Sequence, residues 1–271
     1  MSADPRVSLS RPAWAVSVVS HGHGGLLPEL LGHLCAAAAG SPIRVWVTLN
    51  VPEQPAGLAT RWPGLDIRVL HNPSPAGFGA NHNRAFAQEH KQADAAPWFV
   101  VMNPDVAWSA NPFPGMCLAA TRAARDGGNP VGLVYTRQVD AYGNAQDHAR
   151  RLPTPWSLWQ RHGWPRSGHG PCSRPDWVNA AFVMLPTPVF AQVGGFDERY
   201  RMYCEDVDLC LRLQLAGHRL VLADDVTVLH HASRASRRDP RHLWWHVQSL
   251  VRLWCSPAYR RYRQFNASQG G

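Results

Sequence analysis

The sequence predicts an α/β fold in which a mostly parallel β-sheet carries helices on both faces. Three observations support this. Short apolar runs alternate with helical patterns in the first half, one run is almost wholly apolar, and polar residues follow two of them. Strands that alternate with helices favour parallel pairing, and a wholly apolar strand is buried on both faces.

The predicted elements follow from local patterns. Strands are assigned to β-branched or aromatic apolar runs, and helices to segments with helical spacing and Pro or Gly at their ends. Strands are predicted at 13–20, 43–49, 67–70, 97–102, 131–136, 176–185, 220–223 and 226–229. Helices are predicted at 28–39, 80–90, 113–126 and 187–193, from 241 to about 254, and in a segment whose helical spacing runs from Val207 to a stop at Gly217.

The domain prediction places one domain at residues 1–239 and a C-terminal helix and tail at 240–271. A chain of 271 residues suits one such core. Residues 137–175 are rich in Arg, Pro, Gly, His and Trp without periodicity, which predicts a long loop or lid.

Composition narrows the function classes. The formal net charge is +8, and Lys91 is the single lysine, so arginine carries almost all of the positive charge. Arginine binds phosphate oxygens in pairs, which favours an anionic ligand or a membrane surface. No helix-turn-helix, zinc-finger or RNP pattern is present, so nucleic-acid binding is not predicted.

Cysteine usage and hydropathy favour a cytoplasmic protein. The 6 cysteines form no Cys-x-x-Cys pair, as expected for a reducing compartment. The start of the chain lacks the pattern of a signal peptide, and no uncharged apolar run reaches the ~18 residues of a membrane span. Association with the inner face of the plasma membrane is an added hypothesis.

Two predicted strand ends carry groups that bind ligands in parallel sheets. Asn50 follows the second strand, and Asn103-Pro104-Asp105 follows the fourth. Pro104 stiffens the exit, and an oxygen ligand held there suits Mg²⁺ or Mn²⁺ bridging a diphosphate. The alternative is a simple turn, which these residues also favour.

Residues 72–85, NPSPAGFGANHNRA, form a loop that enters a helix. Gly77 and Gly79 let the backbone approach a ligand, and a helix N-terminus attracts anions. The loop matches no Gly-rich phosphate motif, so an ordinary helix-entry turn is an equal alternative.

The densest charge cluster lies in residues 194–220. Asp206 falls in the first turn of the predicted helix, where the helix dipole favours an ionised carboxylate. Asp208 and Arg212 stand in the favourable acid-before-base order, on the side that also holds Glu205. The alternative is a solvated helix face.

The last predicted strand ends in His230 and His231. A lone histidine is more often structural, but a metal site at Asp105 needs a second protein ligand, and neutral imidazole would serve. The basic segment at 233–238 either folds over a diphosphate or is solvated. The Trp- and Arg-rich tail at 241–263 either lies on anionic lipid or packs on the domain.

Taken together, six strings resemble the family 2 glycosyltransferases with a GT-A fold, particularly the bacterial rhamnosyltransferase-like branch. They are VSVVSHG (16–22), NPSPAGFGANHNRA (72–85), VVMNPDV (100–106), VNAAFVML (178–185), GGFDERYRMYCEDVDLCLRL (194–213) and VTVLHHASRAS (226–236). They cover nearly all of the predicted core, and the order of NPD, GGFDE and ED-x-D is specific.

The resemblance implies a role for individual residues. Asp206 resembles the catalytic base, with Glu205 beside it. Asp105 resembles the surviving acid of a metal-binding D-x-D element. His230, with His231 as the less favoured alternative, resembles the histidine on the metal or phosphate side. The implied donor or nucleotide residues are Ser20, Asn50, Gly77, Phe78, Gly79, Asn83, Asn103, Arg237 and Arg238. The implied acceptor-side residues are Gly195, Phe196 and Asp197.

One position departs from the family. An Asp that reads the nucleobase usually precedes the Asn after the second strand, and here that position is Leu49. Base recognition must then come from Asn50 or from main chain.

The predicted activity is therefore an inverting transfer of a sugar, with dTDP-rhamnose implied as donor, to a glycan or lipid-linked acceptor in cell-surface polysaccharide synthesis. Asp206 would deprotonate the acceptor hydroxyl, while Mg²⁺ or Mn²⁺ and arginines offset the charge of the leaving diphosphate. One alternative is a nucleotidyltransferase, although no basic phosphate-gripping loop follows Val18. The other is a sugar-nucleotide-binding relative that has lost catalysis.

Overall fold

The fold is a central β-sheet with helices on both faces, and a computed structural model describes residues 11–55, 58, 61–155, 172, 174–231 and 240–269. The strands are β1 Trp14–Ser20, β2 Ile43–Leu49, β3 Leu65–His71, β4 Trp98–Met102, β5 Val106–Ala107, β6 Val131–Val139, β7 Ala149–Arg150, β8 Trp177–Val178, β9 Phe182–Pro186 and β10 Arg219–His230. The helices are α1 Leu27–Ala37, α2 Phe78–Glu89, α3 Pro112–Arg125, α4 Thr187–Gln192, α5 Glu205–Leu215, α6 Pro240–Cys255 and α7 Pro257–Gln269.

The main sheet has 8 strands in the order β3-β2-β1-β4-β9-β6-β10-β5. The four strands from β3 to β4 pair in parallel, and β6 and β10 pair in parallel with each other. The strand β9 runs antiparallel to both of its neighbours, and β5 runs antiparallel to β10. Six strands therefore point the same way, and their carboxyl ends meet at one edge. The predicted α/β class with a mostly parallel sheet is confirmed.

Helices cover both faces of this sheet because its strands alternate their side chains. In β1, Val16 and Val18 pack with the helices α1 and α3, whereas Ala15 faces the opposite layer. That second layer is formed by α2, α4 and α5, and the C-terminal helices α6 and α7 pack against it. The apolar strand β4 is buried on both sides, as its composition predicts.

Most predicted elements are confirmed, with shifted ends, and the helix α5 ends as expected near Gly217, whose φ is 83°. The single strand predicted at 176–185 is wrong, because it divides into β8, which pairs with β7 in a separate small sheet, and β9 of the main sheet. The two strands predicted at 220–223 and 226–229 are wrong as separate elements. They form the single strand β10, with a register shift between Ala223 and Thr227. At this shift Asp224 pairs with Arg137 on the neighbouring strand.

The C-terminal region contains a second helix that the sequence analysis missed. The helix α6 ends at Cys255, and α7 begins at Pro257. The Ser256 side chain accepts a hydrogen bond from the Tyr259 amide at 3.1 Å, which caps α7. In the described part of the chain, none of the helices is both long enough and apolar enough to cross a bilayer.

A buried charge network ties the amino ends of the strands together. Arg44 donates to Asp66 at 2.7 Å, to Asp94 at 2.8 Å and to Glu89 at 3.3 Å. Glu89 is fully buried, and it also accepts from the Trp46 indole at 2.8 Å. This network lies at the edge opposite the carboxyl ends, so it stabilises the sheet away from the candidate site.

Candidate active site

Polar side chains gather at the edge where the six co-directional strands end. Asn50 and Asp105 follow strands that end at this edge, as predicted. Further polar groups at or just after these strand ends include Ser20, Asn72, Asn103, Gln138 and His230. Such an edge is where α/β sheets bind their ligands.

Asp105 and His230 face each other across this edge. The chain reverses after β4, and the short strand β5 then pairs with the end of β10, so that Val106 lies opposite His230. As a result, the Asp105 Oδ1 atom lies 3.5 Å from the His230 Nε2 atom. The Val106 amide also donates to the Asn103 carbonyl at 3.4 Å, so the segment is a turn as well as a carboxylate site.

The His230 ring is oriented by Gln146. The Gln146 side chain makes both contacts. Its Nε2 atom donates to the His230 carbonyl at 2.6 Å, and its Oε1 atom lies 3.2 Å from the ring Nδ1. A proton on Nδ1 satisfies that contact and leaves the Nε2 lone pair directed at Asp105 and Asn103. Burial lowers the pKa of His230, against the opposing effect of Asp105, which favours the neutral imidazole.

His231 has a different environment. Its side chain is exposed, and its backbone amide donates to the Asp105 carbonyl at 3.2 Å. The geometry therefore favours His230 over His231 as a ligand.

The pair of Asp105 and His230 suits a divalent cation shared with a substrate. Two adjacent ligands of an octahedral ion with ~2.1 Å bonds lie about 3 Å apart, close to the separation found here. Within the described residues, no group of three or more His, Cys, Asp or Glu side chains could hold a metal. A cation at this point would complete its coordination with substrate oxygens and water, as Mg²⁺ commonly does.

Asp206 lies at the start of α5. Its Oδ1 accepts from the Val207 amide at 2.8 Å, and its carboxylate also accepts from the Ala180 amide. The next residue, Ala181, accepts the Asn103 amide at 2.8 Å. The 180–181 segment thus connects the Asp206 carboxylate with the residues that follow β4.

Burial shifts the titration of Asp206. Its side chain is half-buried, and burial raises its pKa to about 6, against the opposing effects of the Val207 amide and of the Arg150 charge. A carboxylate with such a pKa is still ionised at neutral pH and is a stronger base than an exposed one.

The two residues before α5 adopt left-handed backbone conformations. Tyr203 has a φ of 72° and Cys204 a φ of 65°. Left-handed conformations are uncommon for residues other than glycine, and the strain they store is concentrated at functional sites. This turn directs Glu205 and Asp206 into the helix start, so we attribute the strain to placement of the carboxylates.

The charges of α5 do not form a solvated face, so that alternative is wrong. Glu205 and Asp208 are both buried, and Asp208 accepts from Arg212 at 2.6 Å, as predicted. Burial and the charge of Asp206 raise the pKa of Glu205 well above its usual range. Asp206 is therefore the more solvent-accessible carboxylate of the pair.

Arg150 is a site residue that the sequence analysis missed. It lies near enough to Asp206 for its charge to lower the Asp206 pKa. An ion pair with Asp147 at 2.9 Å and stacking on Trp177 at 5.1 Å hold the guanidinium in place. Like Gln146, it lies in the non-periodic stretch at 137–175, where only its basic character could have signalled a role.

The glycine loop packs tightly against the segment predicted to face the acceptor. A Cβ on Gly77 would lie 2.6 Å from the Arg201 carbonyl, and one on Gly79 would lie 2.6 Å from the Phe196 Cβ. Phe196 itself is buried. The two glycines therefore allow the start of α2 to approach the 194–201 segment, in addition to any contact with a donor.

The Asn83 side chain joins the start of α2 to the 194–201 segment by hydrogen bonds. Its Nδ2 donates to the Phe196 carbonyl at 2.8 Å, and its Oδ1 accepts the Phe196 amide at 2.9 Å. Asp197 is held by a salt bridge to Arg199 at 2.6 Å. The roles predicted for Phe78, Asn83, Gly195 and Asp197 toward substrates stay predictions, and Arg237 and Arg238 lie outside the described residues.

Asn50 is buried and fully hydrogen-bonded. Its Oδ1 accepts the Ala76 amide at 2.8 Å and the Asn72 amide group at 2.7 Å, and its Nδ2 donates to the Ala76 carbonyl at 3.0 Å. Its side chain thereby holds the loop before α2. Contact with a nucleobase stays a prediction for this residue.

Glu53, which follows β2, is a carboxylate that the sequence analysis missed, and it contacts the loop after β1. Glu53 accepts from the Gly22 amide at 3.3 Å and from the Gly24 amide at 2.9 Å. Ser20, predicted to bind the donor, accepts from the His23 amide at 3.2 Å in the same loop. In the sequence, the position of Glu53 three residues after Asn50 was the only sign of this contact.

Sequence comparison identifies a similar protein over most of the chain. The chain is 33% identical over 256 residues to N-acetylglucosaminyl-diphospho-decaprenol L-rhamnosyltransferase of Mycobacterium tuberculosis, and the match covers 86% of this chain and 81% of that protein. No protein-family model matches the chain.

Two solved structures share the fold. Staphylococcus aureus TarS superposes with a TM-score of 0.61 at 12% identity, over 94% of this chain and 42% of TarS. The mannosyltransferase PcManGT of Pyrobaculum calidifontis, solved with GDP-Man and Mn²⁺, gives a TM-score of 0.54 at 15% identity, over 98% of this chain and 79% of that chain. At such low sequence identities these superpositions show a shared fold and nothing further.

Proposed function

Because the chain belongs to the rhamnosyltransferase-like branch of the family 2 glycosyltransferases, we propose that it transfers a sugar with inversion from a nucleotide-diphosphate donor to a lipid-linked glycan. The GT-A fold expected from the sequence is confirmed. The name of the M. tuberculosis relative, an L-rhamnosyltransferase of N-acetylglucosaminyl-diphospho-decaprenol, supports rhamnose as the sugar and a prenyl-linked GlcNAc as the acceptor, while dTDP as the nucleotide rests on the family resemblance alone.

One observation supports the proposal: the 180–181 segment links a carboxylate with a raised pKa, Asp206, to the strand end that carries the pair of Asp105 and His230. Asp206 is bonded to the Ala180 amide, and the adjacent Ala181 is bonded to Asn103, two residues before Asp105. A base and a diphosphate-side cation site at one sheet edge are the two parts that an inverting sugar transfer requires.

In the proposed reaction Asp206 removes the proton of the acceptor hydroxyl. The hydroxyl oxygen attacks the anomeric carbon, its O–H bond breaks, and the proton passes to a carboxylate oxygen of Asp206. The bond between the anomeric carbon and the diphosphate oxygen breaks at the opposite side of that carbon. The nucleoside diphosphate leaves with the bonding electron pair, which accounts for the inversion.

Asp105 and His230 would hold a divalent cation, Mg²⁺ or Mn²⁺, with Asn103 beside them. A bound cation supplies charge stabilisation to the leaving diphosphate. The Mn²⁺ in the PcManGT complex supports a metal in this fold without deciding which ion this chain uses. Arg237 and Arg238, predicted to hold the diphosphate, are included in the proposal on the sequence alone.

Replacing His230 by Ala is expected to weaken Mn²⁺ binding at least about tenfold, because one of only two protein ligands is lost. Binding is measured by titrating Mn²⁺ into protein with dTDP present and following free Mn²⁺ by electron paramagnetic resonance. His231→Ala is the matched control, and its exposed side chain should leave the affinity unchanged. Equal affinity of the His230 variant and wild type would remove His230 from the site.

The pH dependence of kcat should follow the ionisation of the Asp206 carboxyl group. Its pKa is raised to about 6, so the ionised base is lost as the pH falls through that value. With donor and acceptor saturating, kcat is expected to be flat above about pH 7 and to fall about tenfold per pH unit well below 6. A kcat that holds constant down to about pH 5, with the fold intact by circular dichroism, would contradict this assignment.

A donor screen tests the proposed function as a whole. The chain is incubated with dTDP-rhamnose, UDP-GlcNAc or GDP-mannose, a prenyl-diphospho-GlcNAc acceptor and Mg²⁺ or Mn²⁺, and sugar transfer is followed by mass spectrometry. Transfer of rhamnose supports the proposal in full, and transfer of another sugar corrects the donor. Absence of both transfer and donor hydrolysis would favour a relative that has lost catalysis.

The proposal places the protein in the cytoplasm, at the inner face of the plasma membrane. A prenyl-linked acceptor is confined to the bilayer, so an enzyme that uses it must meet the membrane surface. This proposed location therefore rests on the membrane-bound acceptor.

A further inference from the structure

The helix α6 presents an apolar face to solvent. Leu243, Trp244, Val247 and Val251 are 60%, 64%, 46% and 51% exposed. Their spacing of three and four residues places them on one side of the helix. Together with Phe265 of α7 they make up five of the eight large apolar side chains that are exposed in the described part of the chain. Such a concentration marks an interaction surface, whereas scattered apolar side chains do not.

The opposite side of α6 is anchored to the domain. Leu250 and Leu253 are buried in the second core layer, and the Ser249 hydroxyl donates to the Met202 carbonyl at 2.8 Å. The helix therefore packs on the domain, as one alternative for the tail predicted, while its outer face stays in solvent. The exposed face is consequently a stable feature of the folded chain.

The surroundings of this face are basic. Residues 240–271 contain five arginines and no Asp or Glu. Arg241 lies at one margin of the apolar face by helical position, and Arg260, Arg261 and Arg263 are exposed on α7. Tryptophan and arginine beside an apolar face are the composition of helices that lie in the interface of an anionic bilayer.

We propose that the outer face of α6, with the arginines of α6 and α7, is a docking surface for anionic lipid. The charge argues against a second copy of the chain as the occupant. A symmetric pairing of two such faces would bring two acid-free, Arg-rich segments together on chains that each carry a net charge of +8. An anionic bilayer offers both the apolar layer and the opposite charge.

The same helix contacts the turn that positions Asp206. The Tyr203 hydroxyl and the His242 Nδ1 are 2.8 Å apart, and the Arg201 guanidinium lies 5.1 Å from the Trp245 ring centre. Tyr203 is the first of the two left-handed residues before α5. Lipid docking would therefore hold the base close to the bilayer surface, where a lipid-linked hydroxyl lies. This last step rests on the proposed function, whereas the docking surface does not.

Vesicle co-sedimentation of the full chain tests the surface. We expect wild type to bind vesicles of equal parts phosphatidylglycerol and phosphatidylcholine, and to bind pure phosphatidylcholine at least about tenfold less. The double variant Trp244→Glu/Val247→Glu should lose at least about tenfold in binding to the anionic vesicles. Leu118→Glu is the matched control, because Leu118 is 46% exposed on the distant helix α3, and it should bind as wild type does.

Additional variants distinguish loss of lipid binding from misfolding and from loss of catalysis. If the double variant does not fold, as judged by circular dichroism, Arg260→Gln/Arg263→Gln replaces it and should also weaken binding. Asp206→Asn should bind vesicles as wild type does, which separates failure of docking from failure of the proposed chemistry. Absence of binding, equal binding to neutral vesicles, or a dimer in light scattering that the double variant abolishes would each overturn the proposal.

Discussion

Replacing Asp206 by Asn is expected to lower kcat by about 10³-fold, within the range measured for removal of a general base. Asparagine keeps the size of the side chain and can still accept the Val207 amide, but it cannot take the proton of the acceptor hydroxyl. Donor binding should be unchanged, because Asp206 is not among the residues assigned to the donor. The measurement is single-turnover transfer with saturating enzyme, together with donor affinity by calorimetry.

The stability of this variant gives an independent check. Burial raises the pKa of Asp206, so above about pH 6 the folded state holds its ionised form at a cost in free energy. A neutral Asn removes that cost, and we expect a Tm no lower than that of wild type. Asp208→Asn is the matched control on the same helix: it removes the charge from the 2.6 Å pair with Arg212, and because burial also raises the pKa of Asp208 its Tm should stay near that of wild type, with kcat changed less than about tenfold. A variant Asp206→Asn with near-normal kcat would refute the assignment of the base.

Replacing Arg44 by Met is expected to lower the free energy of unfolding by about 3–5 kcal/mol, the usual cost of breaking a buried ion pair from one side. Arg44 is buried, and its loss would leave the fully buried Glu89 without its cation. Methionine fills part of the volume but donates no hydrogen bond. The measurement is urea unfolding at neutral pH, and activity should be unaffected below the unfolding transition because the network lies at the edge opposite the site.

Arg68→Met is the matched control for this prediction. Arg68 pairs with the same Asp66 at 2.7 Å, but its side chain is 53% exposed. The expected loss is within about 1 kcal/mol, as for other exposed pairs. A combined Arg44→Met/Glu89→Gln variant should recover part of the loss, because the unpaired charge is removed. Similar losses for the Arg44 and Arg68 variants would show that burial does not govern the strength of this network.

Local patterns in the sequence were sufficient to predict most strands and helices. The alternation in β1 sends Val16 and Val18 to one layer and Ala15 to the other, and this periodicity of two is visible in the sequence. The stop of α5 at Gly217 also depends only on neighbouring residues, because a left-handed φ favours glycine. The prediction was wrong where local polarity misled it, at the two aspartates inside β10.

Long-range contacts were not predictable in this way. Gln146 and Arg150 lie in a stretch without periodicity, and their partners His230 and Asp206 are distant in sequence. The burial of Glu205 was also missed, because in an amphipathic pattern a charged residue is expected on the solvent side. Its burial depends on the packing of α5 against the sheet and the C-terminal helices, which no short window of sequence contains.

The sequence alone determined the fold class, the strand ends that carry Asn50 and Asp105, and the helix start that carries Asp206, since each depends on the spacing of residues within one segment. The tertiary structure alone showed that Asp105 faces His230 at 3.5 Å and that burial raises the pKa of Asp206. It also showed that the outer face of α6 is left uncovered. Distances between segments and the desolvation of charges arise only when the chain packs, and they convert a set of suitable residues into a candidate site.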